Sequence, residues 1–131
     1  MAKYGLVSVG ADGSIKTVEF ESETVELRSF QELVGGYIEV VRCSTLGVVF
    51  DGVRLVCDED GKGKGKPLNM LASALYGNPH DFIVGDVVLC GYTEVPEPDI
   101  CALPLDVCKR LSDSLLRVRK LVKKQLGNSV F

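Results

Sequence analysis

The chain has 131 residues, which suits one domain built around a single core. Apolar residues make up 46% and charged residues 25%, a globular composition that excludes intrinsic disorder. The net charge of −3 hides an asymmetry: residues 1–102 hold eight Lys and Arg against sixteen Asp and Glu, whereas residues 103–131 hold seven against two.

Lys3–Val9 and Ser14–Phe20 alternate loosely around Gly10-Ala11-Asp12-Gly13 and predict a β-hairpin. Ser29-Phe30-Gln31-Glu32 fits a capping box, in which the Ser oxygen accepts from the backbone three residues on and Glu32 reaches back. The short helix that it opens ends at Gly35-Gly36, where glycine accepts the left-handed cap. Tyr37–Cys43, Leu46–Phe50 and Val53–Cys57 predict three consecutive antiparallel strands, with Asp51-Gly52 as the turn of the second junction. A polar loop, Asp58–Lys66, follows. Asn69 is the natural N-cap of a helix running to Tyr76, and Gly77 is its stop.

Asp86–Tyr92 predicts another strand, Glu94–Pro98 a linker with two prolines, and Leu103–Leu126 a long helix with Pro104 in its first turn. The order ββ-α-βββ-α-β-α is dominated by hairpins. It predicts a single α+β domain with a mainly antiparallel sheet of five or six strands, two short helices and a long C-terminal helix. Within residues 1–131 the expected division is a core over 1–92, a proline-containing linker over 93–102 and a basic helix over 103–131.

No apolar run approaches the roughly 20 residues of a membrane span. Met1-Ala2-Lys3-Tyr4 lacks the basic-then-apolar layout of a secretory signal, so a cytoplasmic protein without membrane contact is expected. The five cysteines are odd in number and form no Cys-x-x-Cys pair, and the one histidine cannot complete a zinc set. Free, mostly buried thiols are expected, with no metal and no cofactor.

Four constellations carry chemistry. Lys62, Lys64 and Lys66 on a glycine scaffold, just before a helix capped by Asn69, could hold a phosphate with ammonium groups, backbone N–H groups and the helix dipole. The spacing is not that of a Walker A loop. Glu39, Asp58, Glu59 and Asp60 could gather at one end of the sheet, although the Asp-Glu-Asp-Gly run lacks the remaining EF-hand positions. His80 could act as a base oriented by Asp81, or work with Glu39, but no Ser or Cys stands in a nucleophile elbow, so no catalytic residue is assigned. Few aromatics and no Trp leave direct nucleic-acid binding poorly supported.

The last constellation is the C-terminal helix. Cys108, Leu111, Leu115, Val118, Val122 and Leu126 form one apolar stripe, which predicts packing on the sheet. Leu116 and Leu121 fall outside it, among Arg117, Lys120 and Lys124, and predict a second contact surface.

Val34-Gly35-Gly36-Tyr37-Ile38-Glu39, Cys57-Asp58-Glu59-Asp60-Gly61, Leu68-Asn69-Met70-Leu71-Ala72-Ser73-Ala74-Leu75-Tyr76-Gly77 and Ile83-Val84-Gly85-Asp86 occur in one order. That series resembles domain of unknown function 3846, small proteins of bacteria, phages and mobile elements, over roughly residues 3–92. Met70 stands where the family often carries proline, and the basic helix after Pro98 lies outside the resemblance. The resemblance implies no catalytic residues. It implies a phage or mobile-element context, in which such a chain binds something of the host. The expected function is a non-catalytic binding protein that captures a small anionic ligand, such as a signalling nucleotide of host defence, through Lys62, Lys64, Lys66 and Asn69. The alternatives are a protein–protein interaction module, as a homo-oligomer or on a host protein, acting through Leu116, Leu121 and the basic face, and a small hydrolase or transferase.

Overall fold

The computed structural model describes residues 2–44 and 52–127. β1 (Tyr4–Val9) and β2 (Ile15–Phe20) form the expected hairpin, closing at the Val9–Ile15 pair. β3 (Ile38–Arg42) and β4 (Val53–Asp58) pair antiparallel, with Ile38 opposite Asp58. The strand expected over Leu46–Phe50 and the Asp51 half of its turn lie outside the described residues.

β5 (Val87–Thr93) is the central strand, bonded to β4 on one side and to β1 on the other, so the sheet runs β2-β1-β5-β4-β3. All described pairings are antiparallel, and the fold is α+β with three helices among the described residues. Two short strands refine the sequence reading. β6 (Asp99–Cys101) pairs with the end of β5 and β7 (Leu103–Pro104) with the start of β1. The stretch expected to be a linker is therefore a hairpin turn followed by a strand that fills the gap where β5 and β1 part. Its prolines occupy the turn, where they remove no ladder hydrogen bond.

Helix α1 (Leu27–Val34) starts two residues before the expected capping box. Glu26 has the extended backbone of an N-cap, and Ser29 already donates its N–H to Glu26 O at 3.0 Å, so Ser29 is inside the first turn and caps nothing. The stop is as expected: Gly35 is left-handed at φ 78°. Helix α2 (Met70–Tyr76) is capped by Asn69, whose Oδ1 accepts from Ala72 N at 3.0 Å. Helix α3 (Leu105–Leu126) begins after Pro104, which is the N-cap position rather than the first turn.

Both faces of the sheet are covered, because alternate strand residues point to opposite sides. Val7, Leu55 and Leu89 face a core closed by Leu71 and Leu75 of α2 and Leu111 and Leu115 of α3. Leu6, Val56 and Val88 face a smaller core closed by Phe30 and Val34 of α1. With only eight residues, α1 covers part of its face.

Candidate functional site

The lysine-rich loop is a folded turn built around Asp58. Only 1% of the Asp58 side chain is exposed, and both Lys64 Nζ and Lys66 Nζ lie 2.7 Å from its Oδ2. Asp60 N donates to Oδ1 at 2.9 Å. Burial acts to raise the Asp58 pKa, but the two ammonium groups and the Asp60 N–H outweigh it and hold the carboxyl at about 2.

The same lysines reach back to α1. Lys66 Nζ donates to Val34 O at 2.8 Å and Lys64 Nζ to Gly35 O at 3.2 Å, so both cations sit at the negative pole of that helix and satisfy its terminal carbonyls. Gly36 makes the approach possible. A Cβ there would lie 2.6 Å from both Asp58 Oδ1 and Lys64 Nζ.

The residues expected to hold a phosphate are engaged within the chain. Asn69 is fully buried, and its Nδ2 donates to Val9 O at 3.0 Å and to Gly85 O at 2.8 Å while Oδ1 caps α2. It fastens strands to helix and has no face toward a ligand. Lys62 is paired with Asp81, and its ammonium also stands 4.5 Å from the centre of the Phe82 ring. The three lysines are thus brought to one region, each already opposite a carboxylate.

A cleft of about 190 Å³ opens beside this corner, lined by Glu39, Cys57, Glu59, Lys62, Asp81 and Phe82 among others. Asp58 lines the same cleft from a buried position, whereas Glu39, Glu59 and Asp60 are exposed. Among the described residues no group of three or more His, Cys, Asp or Glu side chains is placed to hold a metal ion. Cys57 lines the cleft, but burial first, then the nearby Glu39 and Asp58 carboxylates, push its thiol up to about 11. Such a thiol is protonated at neutral pH and is a poor nucleophile.

The His80–Asp81 pair is not assembled. Asp81 is engaged by Lys62, by Tyr76 Oη at 3.3 Å and by Phe82 N at 2.8 Å, and His80 is exposed in the turn.

On α3 the apolar stripe divides. Cys108, Leu111 and Leu115 are buried and Val118 packs partly on the core, and Arg119 Nη1 donates to Gly13 O at 2.7 Å. From Lys120 to Gly127 no residue is buried: Val122, expected in the core, is half-buried, and Leu126 is 59% exposed. Leu121 is 60% and Leu116 37% exposed, and Arg117, Lys120 and Lys124 are exposed with them.

A second apolar surface went unread in the sequence. Leu27, Ile38, Val40, Tyr92, Pro98, Asp99 and Ile100 line a groove of about 410 Å³ on the sheet face that α1 leaves open. Arg54 stacks on Tyr92, 4.3 Å from the ring centre. The available signal was Val40-Val41, two apolar neighbours that give an edge strand apolar character on both faces.

The fold and this corner define the class: a small α+β domain in which a buried aspartate, two lysines and two glycines join the sheet to α1. The chain belongs to the family described as Domain of unknown function (DUF3846), whose model matches residues 6–116. The match reaches further than the resemblance over residues 3–92, taking in the packed half of α3 and ending at Leu116, next to the last buried residue of that helix. No curated protein matches the chain, and no solved structure does.

Proposed function

We propose that the protein is a non-catalytic interaction module that engages a protein partner through the free end of α3. The observation behind this reading is the exposure of Leu121 and Leu126 on a helix end rich in Lys and Arg. Exposed apolar residues rimmed by charge mark contact surfaces, and a short helix end has little stability of its own without something to pack on. In the phage or mobile-element setting implied by the family resemblance, the partner is a host protein or another copy of the chain, met in the host cytoplasm. No helix among the described residues is long and apolar enough to cross a membrane.

Capture of a small anionic ligand is the second reading. It has less support, because a phosphate at Lys64 and Lys66 would compete with buried Asp58 and with the carbonyl end of α1. An affinity comparison tests the choice. Proteins retained by the wild-type chain should be lost from Leu121→Glu/Leu126→Glu and kept by Lys64→Ala. Calorimetry against a nucleotide panel gives the opposing outcome: heat abolished by Lys64→Ala and unchanged in the double variant would replace this reading with the anionic-ligand one.

A further inference from the structure

Two of the exposed apolar surfaces among the described residues differ in charge. The end of α3 is basic, with exposed Leu121 and Leu126 near exposed Arg117, Lys120 and Lys124 in the sequence. The groove between α1 and the β5–β6 hairpin is concave and apolar, lined by Leu27, Ile38, Val40, Tyr92 and Ile100. The hairpin closing one end of it carries Glu94, Glu97 and Asp99, all exposed, and no basic residue. Arg54 is stacked on Tyr92, and exposed Arg42 is its cross-strand partner on β3.

Within one chain these surfaces cannot meet. α3 packs against β1, β2, β7 and α2 on one face of the sheet, whereas Ile38 and Ile100 belong to the α1 face. We propose that the occupant of the groove is the α3 end of a second copy of this chain, its leucines seated on Val40, Tyr92 and Ile100 and its lysines facing the acidic hairpin. Made reciprocally about a two-fold axis, the helix-to-groove contact closes as an isologous pair; made in one direction only, it is heterologous and forms rings or filaments. This deepens the interaction-module reading and rests on it by naming the partner.

A mixing experiment separates this contact from every other mode. Val40 is 41% exposed on β3, the outermost of the described strands on that side, where lysine is well tolerated, so Val40→Lys blocks the groove with a charge that repels the basic helix. Leu121→Glu/Leu126→Glu blocks the helix end. By light scattering the wild-type chain should self-associate, less so at high salt, and each variant alone should associate about tenfold or more weakly. A mixture of the two variants should regain a complex, because one supplies an intact helix and the other an intact groove.

A wild-type monomer overturns the proposal but leaves the module reading standing with another partner. Loss of association in the helix variant with none in Val40→Lys also overturns it, in favour of a helix–helix seam. A mixture that stays monomeric while both variants keep native circular dichroism overturns it as well. If Val40→Lys does not fold, Leu27→Lys, at an exposed helical position on the same groove, takes its place with the same outcomes.

Discussion

An aspartate with a side chain 1% exposed costs several kcal/mol as an ion unless its oxygens are matched, and Asp58 has two ammonium groups and a backbone N–H around it. The linkage follows from the direction of its shift. The folded pKa of about 2 lies below the ordinary value of 3.8, so the ionised side chain stabilises the fold fully above about pH 4, and the contribution is lost as pH falls through about 2. The size of the shift corresponds to about 2 kcal/mol. Asp58→Asn should therefore be less stable than wild type by about that amount at pH 7, and the gap should narrow toward zero below pH ~2. Urea unfolding of both proteins across this range checks it, since contributions of the other carboxylates cancel in the difference. A gap independent of pH would mean that Asp58 acts through shape and not through charge. Of this corner the sequence displayed every component and none of the partnerships. The motifs containing Gly35-Gly36, Asp58 and Gly85 were visible as a series, but the loop that looked like a phosphate cradle is held by the carbonyls of Val34 and Gly35, some thirty residues earlier in the chain.

Along α3 one periodic pattern has two physical fates. The stripe from Cys108 to Leu126 is continuous in sequence, yet full burial stops after Leu115, a boundary that helical periodicity cannot encode. The same limit explains the short strands: Ile100-Cys101-Ala102-Leu103 is too brief to announce itself beside two prolines, and it pairs only because β5 and β1 part at that place. Elements with local signals were legible, namely the β1–β2 hairpin, the Asn69 cap and the Gly35 and Gly77 stops. The two fates of α3 are separable by one substitution repeated along the helix. Leu111→Ala and Leu115→Ala should each cost about 2–5 kcal/mol, as large-to-small changes in a closed core do. Leu121→Ala and Leu126→Ala should stay within about 0.5 kcal/mol in a monomer, as surface changes do. Denaturant midpoints measured at low protein concentration decide it. A large loss at Leu126 would show that the helix end is covered within its own chain.

At the scale of the whole molecule, the sheet is sealed on the α2–α3 side and only partly on the α1 side, and this asymmetry sets where its surface chemistry lies. The acidic and basic halves of the sequence do not neutralise each other throughout the fold. Lys62, Lys64 and Lys66 find carboxylates in the body, while Arg117, Lys120 and Lys124 are exposed on α3. The five thiols report on the same closure. All are free; Cys43, Cys57, Cys90 and Cys108 are buried and Cys101 is half-buried, on the strand filling the gap between β5 and β1. Burial raises the pKa of each, to about 11 for Cys43, Cys57 and Cys108. At Cys101 burial is aided by the Glu23 and Asp99 carboxylates. Since the thiolate is the reacting species and must be reachable, a colorimetric disulfide reagent at pH 8 should modify Cys101 first, more slowly than a thiol in the denatured chain. The other four should follow only as fast as the fold opens, so stabilising conditions slow them and leave Cys101 little changed. Counting released chromophore over time measures both phases. Two or more thiols reacting at the denatured rate would show that the sheet faces are open, and the closure on which the exposed groove and helix end are defined would fail with them.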